Sequence, residues 1–251
     1  MNAYIDVARV ADDRWQALEG DQVVGTGDLS HRPDGRAFVS IDAWTDAAFD
    51  RLARVLPAEL PAPLYTLVDE ADHALVERWR QAGFAPGRRE GEYVVPTDPR
   101  VTGLGSAPAP QGVTIVPFGE AEEGPLIALD RAVREEVGAA GGWHTMPAEV
   151  VSPPALDPAK YAVAVLDGRY VGMLRIAPVP RRPRLGALAV RIEARRRGIA
   201  RALLAGALGS LHAAGVAGAW AEAQESNRAA VSLLEAVGAQ RVGVNVELER
   251  R

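Results

Sequence analysis

The sequence contains no cysteine, which excludes disulfides, thiolate metal sites and a cysteine nucleophile that could carry an acyl group. Lysine is almost missing: of the 28 basic residues, Lys160 is the single lysine and all others are arginine. Arginine is therefore the chain's general cation, and an arginine run needs a second feature beside it before it points to a ligand. The four histidines, His31, His73, His144 and His212, lack H-E-x-x-H or any related spacing, so no metal is expected. No apolar run approaches the roughly 18 residues of a spanning helix, and the start MNAYIDVARVADD has no basic or apolar leader segment. The expectation is a cytoplasmic protein that does not bind membranes. Net charge is −5 and the arginine runs lack interleaved aromatics, which argues against a nucleic-acid partner. Phosphate-loop and nucleophile-elbow motifs are also missing. GTGDLS lacks the third glycine of a dinucleotide fingerprint, and GLGSAP runs into proline rather than a helix.

What is present is an ordinary globular balance, 48% hydrophobic and 24% charged over 251 residues, enough for one large or two small domains. The segment VPTDPRVTGLGSAPAPQG, with Pro96, Pro99, Pro108 and Pro110 and no apolar period, reads as a linker. The domains expected are 1–95 and 112–251, joined by 96–111. In the second, a strand over Val113–Phe118 precedes a helix over Gly124–Val137, whose Leu126, Leu129, Ala132 and Val133 share a face and whose Glu135 and Glu136 read as a solvated end. A hairpin follows around Asp167-Gly168, then a strand over Arg184–Val190, a helix from about Gly198 to Ala214, and a strand over Gly218–Gln224. A helix capped by Ser226 or Asn227 and stopped by Gly238 leads to a last strand, Arg241–Leu248. The first part repeats this order: a hairpin with Val24-Gly25 where the second has Val171-Gly172, then strand, helix, strand, and a helix ending at Gly83. Asp72 precedes Gly83 by the same interval that separates Asn227 from Gly238. The spacing implies an internal duplication.

The densest positive charge, RRRGIARALL (Arg195–Leu204), stands where a strand gives way to a helix. A helix start carries unpartnered amides and the positive end of the dipole, so such a turn can hold an anion. Gly198 lets an anion approach the backbone, Ile199 and Ala200 open the helix, and Arg195, Arg196, Arg197 and Arg201 can add charge-assisted contacts.

Arg195-x-x-Gly198-x-Ala200, with Val190 five residues upstream, resembles the Q/R-x-x-G-x-G/A pyrophosphate loop of the GNAT N-acetyltransferase superfamily. Asn227-x-x-Ala230-x-x-Leu233 resembles the family's second cofactor-side motif. The likeness is good from Gln111 to Arg251 and faint before that. It implies an α/β fold of two tandem GNAT-like domains, each a mixed, mostly antiparallel twisted sheet flanked by helices, with the first copy degenerate. It also implies acetyl-CoA lying between splayed strands Arg184–Val190 and Gly218–Gln224. Leu188 and Val190 would meet the pantetheine, the Arg195–Arg201 turn the pyrophosphate, and Asn227 either one. The reaction implied is direct transfer of an acetyl group to a primary amine of a small molecule or peptide, by a monomer or homodimer. The first copy has IDAWTDAAFD where the loop should stand, and is expected not to bind the cofactor.

The family usually places a tyrosine acid at the position of Leu234, and here that acid is missing. For the base there are two candidates. Glu222 alternates with Trp220 and Gln224 on one strand face, with a solvent-facing glutamate as the plain alternative. His144 lies in GGWHTMPAEV, where Trp143 could wall the acceptor pocket. The rival to an enzyme is a non-catalytic acyl-CoA-binding or assembly protein derived from one.

Overall fold

The structure, a computed structural model, describes residues 4–32, 35–105, 109–140, 156–177 and 183–251. The chain forms two compact units, one of Met1–Glu90 with Gly243–Arg251 and the other of Gly91–Val242.

In the first unit, β1 (Ile5–Ala11), β2 (Arg14–Glu19), β3 (Gln22–His31) and β4 (Ala37–Ala43) form an antiparallel meander. Helix α1 (Asp46–Glu59) follows, then β5 (Leu64–Asp69), α2 (His73–Gln81) and the start of β6 (Ala85–Pro96). Strand β5 runs parallel to β4 for two pairs, Ala37↔Leu64 and Phe38↔Tyr65. The α1 stripe Phe49, Leu52, Ala53 and Leu56 is buried against the meander, at the spacing of an amphipathic helix. Gly27 gives it room, because a Cβ there would stand 2.7 Å from Leu56 Cδ2. Phe49, Trp79 and Phe84 meet edge-on, with ring centroids 5.3 and 4.8 Å apart.

The second unit takes Gly91–Pro96 of β6, the one-turn helix α3 (Pro99–Thr102), β7 (Val113–Val116), α4 (Glu123–Ala139), β8 (Tyr161–Leu166), β9 (Arg169–Ala177) and β10 (Arg184–Val190). Helix α5 (Ile199–Ala213), β11 (Gly218–Gln224) and α6 (Arg228–Ala236) complete it. Strands β7 to β10 are antiparallel. Asp167 and Gly168 both take positive φ, 51° and 72°, the backbone that a two-residue hairpin turn requires and that the Asp-Gly pair predicts. Helix α4 packs Leu126 and Leu129 against Tyr161, Val163 and Met173. On the opposite sheet face, α5 packs Leu203, Leu204 and Leu208 against Ala162, Ala164 and Leu174.

Local devices recur between the units. Ala17 pairs with Gly25 just before a bulge, and Ala164 pairs with Gly172 just before another. Asp72 and Asn227 cap α2 and α6 with nearly the same dihedrals, φ −81°, ψ 73° and φ −79°, ψ 73°. Each helix is followed by a left-handed glycine, Gly83 and Gly238.

Two findings differ from the sequence reading. The described part of 96–111 is packed rather than a free linker: Thr97, Thr102 and Leu104 are buried, and Asp98 caps α3. The final strand, β12 (Gln240–Arg250), contributes Gly243–Arg251 to the first unit, where it pairs antiparallel with β5 from Asn245↔Asp69 to Arg250↔Leu64. Its Glu247 is buried and accepts from Arg36 Nη1 at 2.9 and 3.0 Å, with Arg88 Nε at 3.9 Å. Strands β1 and β6 were not foreseen, since MNAYIDVARV and APGRREGEYVVP mix polar residues into their alternation.

Candidate functional site

Strands β10 and β11 run parallel and share only two paired positions, Arg184↔Trp220 and Leu185↔Ala221. At the same place the β9–β10 register slips between Leu185 and Ala187, so a bulge sits at Gly186. A bulge re-aims the strand that carries it. Beyond Leu185 the β10 backbone groups that point away from β9 lose their strand partner. The gap is continuous with a cavity of about 570 Å³. Its wall takes Asp130, Val133, Arg134 and Val137 from α4, Tyr161, Met173 and Arg175 from the sheet face toward α4, and Leu188, Val190, Ile199 and Leu204 from the face toward α5. The cavity thus reaches both faces of the sheet through the parted strands.

The stretch between β10 and α5 forms one end of this cavity. A short 3-10 turn, Ile192–Ala194, leads to Arg195, then Arg196 at φ 63° and Gly198 at φ 84°. Left-handed residues alternating with extended or helical ones turn successive N–H groups inward, the arrangement of an anion nest. Gly198 is the N-cap of α5, and no side chain caps that helix. Its first amides are left for solvent or a ligand. Arg196 is one of two non-glycine residues with positive φ among the described residues, a conformation costing about 1–2 kcal/mol for an L-residue.

Glu136 of α4 holds the turn in place. Its carboxylate accepts from Arg191 Nε at 2.5 Å and from the Ile192 amide at 3.0 Å, and lies 3.8 Å from Arg195 Nη2. The side chain is 14% exposed, which corrects the sequence expectation of a solvated helix end; only Glu135 is exposed. Arg195 Nε in turn donates to the Val190 carbonyl at 3.0 Å.

Of the sequence-predicted residues, Leu188, Val190, Arg195, Arg196, Gly198, Ile199, Ala200, Arg201, Glu222 and Asn227 all line the cavity, whereas Arg197 does not. Asn227 Oδ1 accepts from the Ala230 amide at 3.2 Å, so it is also the cap of α6. Glu222 is ion-paired with Arg184, the two side chains being 24% and 22% exposed. His144 and Trp143 lie outside the described residues. Sequence reasoning missed Asp130, Arg134, Tyr161, Arg175 and Gly186. The first two follow α4 at i, i+3, i+4 and i+7 with Val133 and Val137, a pattern that reads as a core stripe until the cavity is seen.

The first unit repeats the two-pair parallel ladder but not the turn. Its helix α1 begins three residues after β4, and the Thr45 hydroxyl accepts from the Ala48 amide at 3.2 Å. Asp46 adds a negative charge to the first turn. The cap and the carboxylate occupy the positive end of the dipole that the second unit leaves open.

The sequence pattern of the Acetyltransferase (GNAT) family matches residues 131–239. No curated protein matches the chain. Among solved structures, a tandem GNAT protein from the clavulanic acid biosynthesis pathway is similar at TM-score 0.66 and 19% identity, covering 99% of this chain and 83% of its own. A GCN5-related N-acetyltransferase from Sphaerobacter thermophilus aligns at TM-score 0.65 and 17% identity over 97% and 82%. One from Kribbella flavida aligns at 0.55 and 18% over 96% and 88%. At these identities the structures speak for the fold, that of tandem GNAT proteins, and the family's sequence pattern is met within the second unit, over residues 131–239.

Proposed function

We propose that this protein is an N-acetyltransferase that passes an acetyl group from acetyl-CoA directly to a primary amine of a small molecule or peptide, with its donor site in the second unit alone. The observation that carries this reading is the uncapped start of α5, with its left-handed Arg196 and Gly198, opening onto a cavity that crosses the sheet where β10 and β11 part. The amides of that turn, with Arg195, Arg196 and Arg201, fit a pyrophosphate, and Arg197 lies outside the cavity wall. Acetyl-CoA would supply the activated acetyl thioester. Backbone donors of β10 near Leu188, freed from strand pairing, would polarise its carbonyl, a role suited to preorganised amides in a dry cleft.

The amine must arrive neutral to attack. Glu222 could accept its proton only by sharing lone pairs with Arg184. His144 remains the other candidate base. Leu234 lines the cavity at the position of the family's tyrosine, so no acid acts from there, and the leaving thiol, with a reference pKa of about 8.5, departs as thiolate. Leu234 and the Arg184-bound Glu222 also favour the second reading, a non-catalytic acyl-CoA-binding protein. The capped α1 supports an inactive first copy.

The deciding experiment is calorimetric titration with acetyl-CoA, using desulfo-CoA and 3′,5′-ADP as controls, followed by thiol release with candidate amines. One site per chain is expected, and Gly198→Glu, which adds bulk and negative charge to the turn, should abolish binding. Retention of binding in that variant would remove the donor assignment. Binding without turnover of any amine would leave the second reading.

A further inference from the structure

The lobe of the cavity on the α4 side holds more charge than acetyl transfer itself needs. Asp130 and Arg134 form an ion pair along α4, Nε to Oδ2 at 2.6 Å, with side chains 15% and 25% exposed. Glu222, which projects to the sheet face opposite the buried Ala221, is paired with Arg184. Arg175 is half-buried in the same wall, yet among the described residues it has no carboxylate within ion-pairing distance. Its Nη1 lies against the β10 bulge, 3.4 Å from where a Cβ on Gly186 would stand. The guanidinium is thus held beside the opening between the strands. Tyr161 stands directly across from Arg175 in the β8–β9 register, and its hydroxyl makes no hydrogen bond to a described residue. Burial first, opposed chiefly by Arg175, keeps the phenol above its ordinary range, so it stays protonated and can donate.

The register also separates this group from the phosphate turn. Arg175 pairs with Ala187, three residues before Val190, or about 10 Å along a strand at its usual rise. The two cationic sites therefore address different parts of a bound pair of substrates. A half-buried guanidinium without a counter-charge is costly to hold, and a ligand carboxylate relieves it with a charge-assisted, bidentate fit. Among the described residues Asp130 is paired with Arg134 and Glu222 with Arg184, and the single charge of Arg175 suits one carboxylate better than a dianionic phosphate.

Resting on the acetyltransferase reading, we propose that the acceptor is an amine that also carries a carboxylate, an amino acid or a short peptide with a free C-terminus, and that Arg175 and Tyr161 bind that carboxylate. Arg175 is then a specificity-determining residue rather than a participant in the transfer.

The test uses the full chain with saturating acetyl-CoA and matched acceptors: amino acids and dipeptides, their carboxamides, and the corresponding decarboxylated amines. Acids should exceed carboxamides by tenfold or more in kcat/KM. Arg175→Gln should erase that preference by raising KM for acids while leaving kcat and the carboxamide KM within twofold; Arg175→Lys should keep part of it. An unchanged acetyl-CoA Kd in Arg175→Gln shows that the variant is folded. If acetyl-CoA does not bind the wild type, the acetyltransferase reading itself falls. If it binds and no acceptor of any kind reacts, the acetyltransferase reading falls with it; if carboxamides or amines react and acids react no better than carboxamides, or Arg175→Gln keeps the preference, the carboxylate assignment alone is overturned.

Discussion

Arg196 and Gly198 share the left-handed backbone of the turn before α5, and only at Arg196 does that conformation strain a side chain. Replacing it with glycine would remove a strain of about 1–2 kcal/mol while adding unfolded-chain entropy of about 0.5–1 kcal/mol. The two nearly offset, so Arg196→Gly should shift the unfolding midpoint by about 2 °C or less, given the slope expected for a chain of this size. Acetyl-CoA affinity should nevertheless fall several-fold, because one guanidinium is lost from the cradle. Thermal unfolding beside calorimetric titration separates the two effects. A residue that strains the fold without serving the ligand would show the same small stability change with unchanged affinity. That a non-glycine residue takes this conformation where the cavity begins is itself an argument for function.

Between elements, the pair Glu135 and Glu136 shows how far sequence alone reaches. Both stand in the last turns of an amphipathic helix, and nothing local separates them. The structure does: Glu135 is exposed, while Glu136 accepts from Arg191 and Ile192 in the stretch between β10 and α5. Glu136→Ala would leave a half-buried guanidinium and a backbone amide without this partner, a loss of about 2–3 kcal/mol for hydrogen bonds to a charged group. Glu135→Ala should stay within about 0.5 kcal/mol, as surface changes do. Urea unfolding of the two variants measures the contrast, and equal effects would deny Glu136 its anchoring role. The turn itself was legible because its glycine, its arginines and the helix period all lie within ten consecutive residues. The α4-side lobe was not, since Asp130, Tyr161, Arg175 and Glu222 come from four elements, and each alone looks like an ordinary surface or core residue. Element order was legible from periodicity and turn residues. Strand partners were not, because RVGVNVEL announces a strand and says nothing of which edge it joins.

At the scale of the molecule, the sequence repeat and the compact units divide the chain differently. The repeat ends its first copy near residue 95, whereas the first unit closes with Gly243–Arg251. That choice has energetic content. Val246 and Leu248 of β12 are buried in the first unit's core, and Glu247 reaches Arg36, 211 residues away in sequence. Without β12, strand β5 loses its antiparallel partner, and Arg36, Arg88 and the half-buried Arg32 lose a shared carboxylate. Removing one member of a buried ionic group costs about 3–5 kcal/mol, and the strand's apolar burial is lost besides. Against a whole-domain stability of about 5–15 kcal/mol, the first copy should not survive alone. Residues 1–95 expressed separately should show little protected amide hydrogen exchange and no cooperative thermal transition. The same fragment carrying residues 240–251 through a flexible linker should recover both. Glu247→Ala in that fused fragment should lower its stability by several kcal/mol, which a linker effect would not do. If residues 1–95 fold cooperatively without the added strand, β12 is an accessory of the first unit rather than part of its core, and the repeat boundary is the folding boundary.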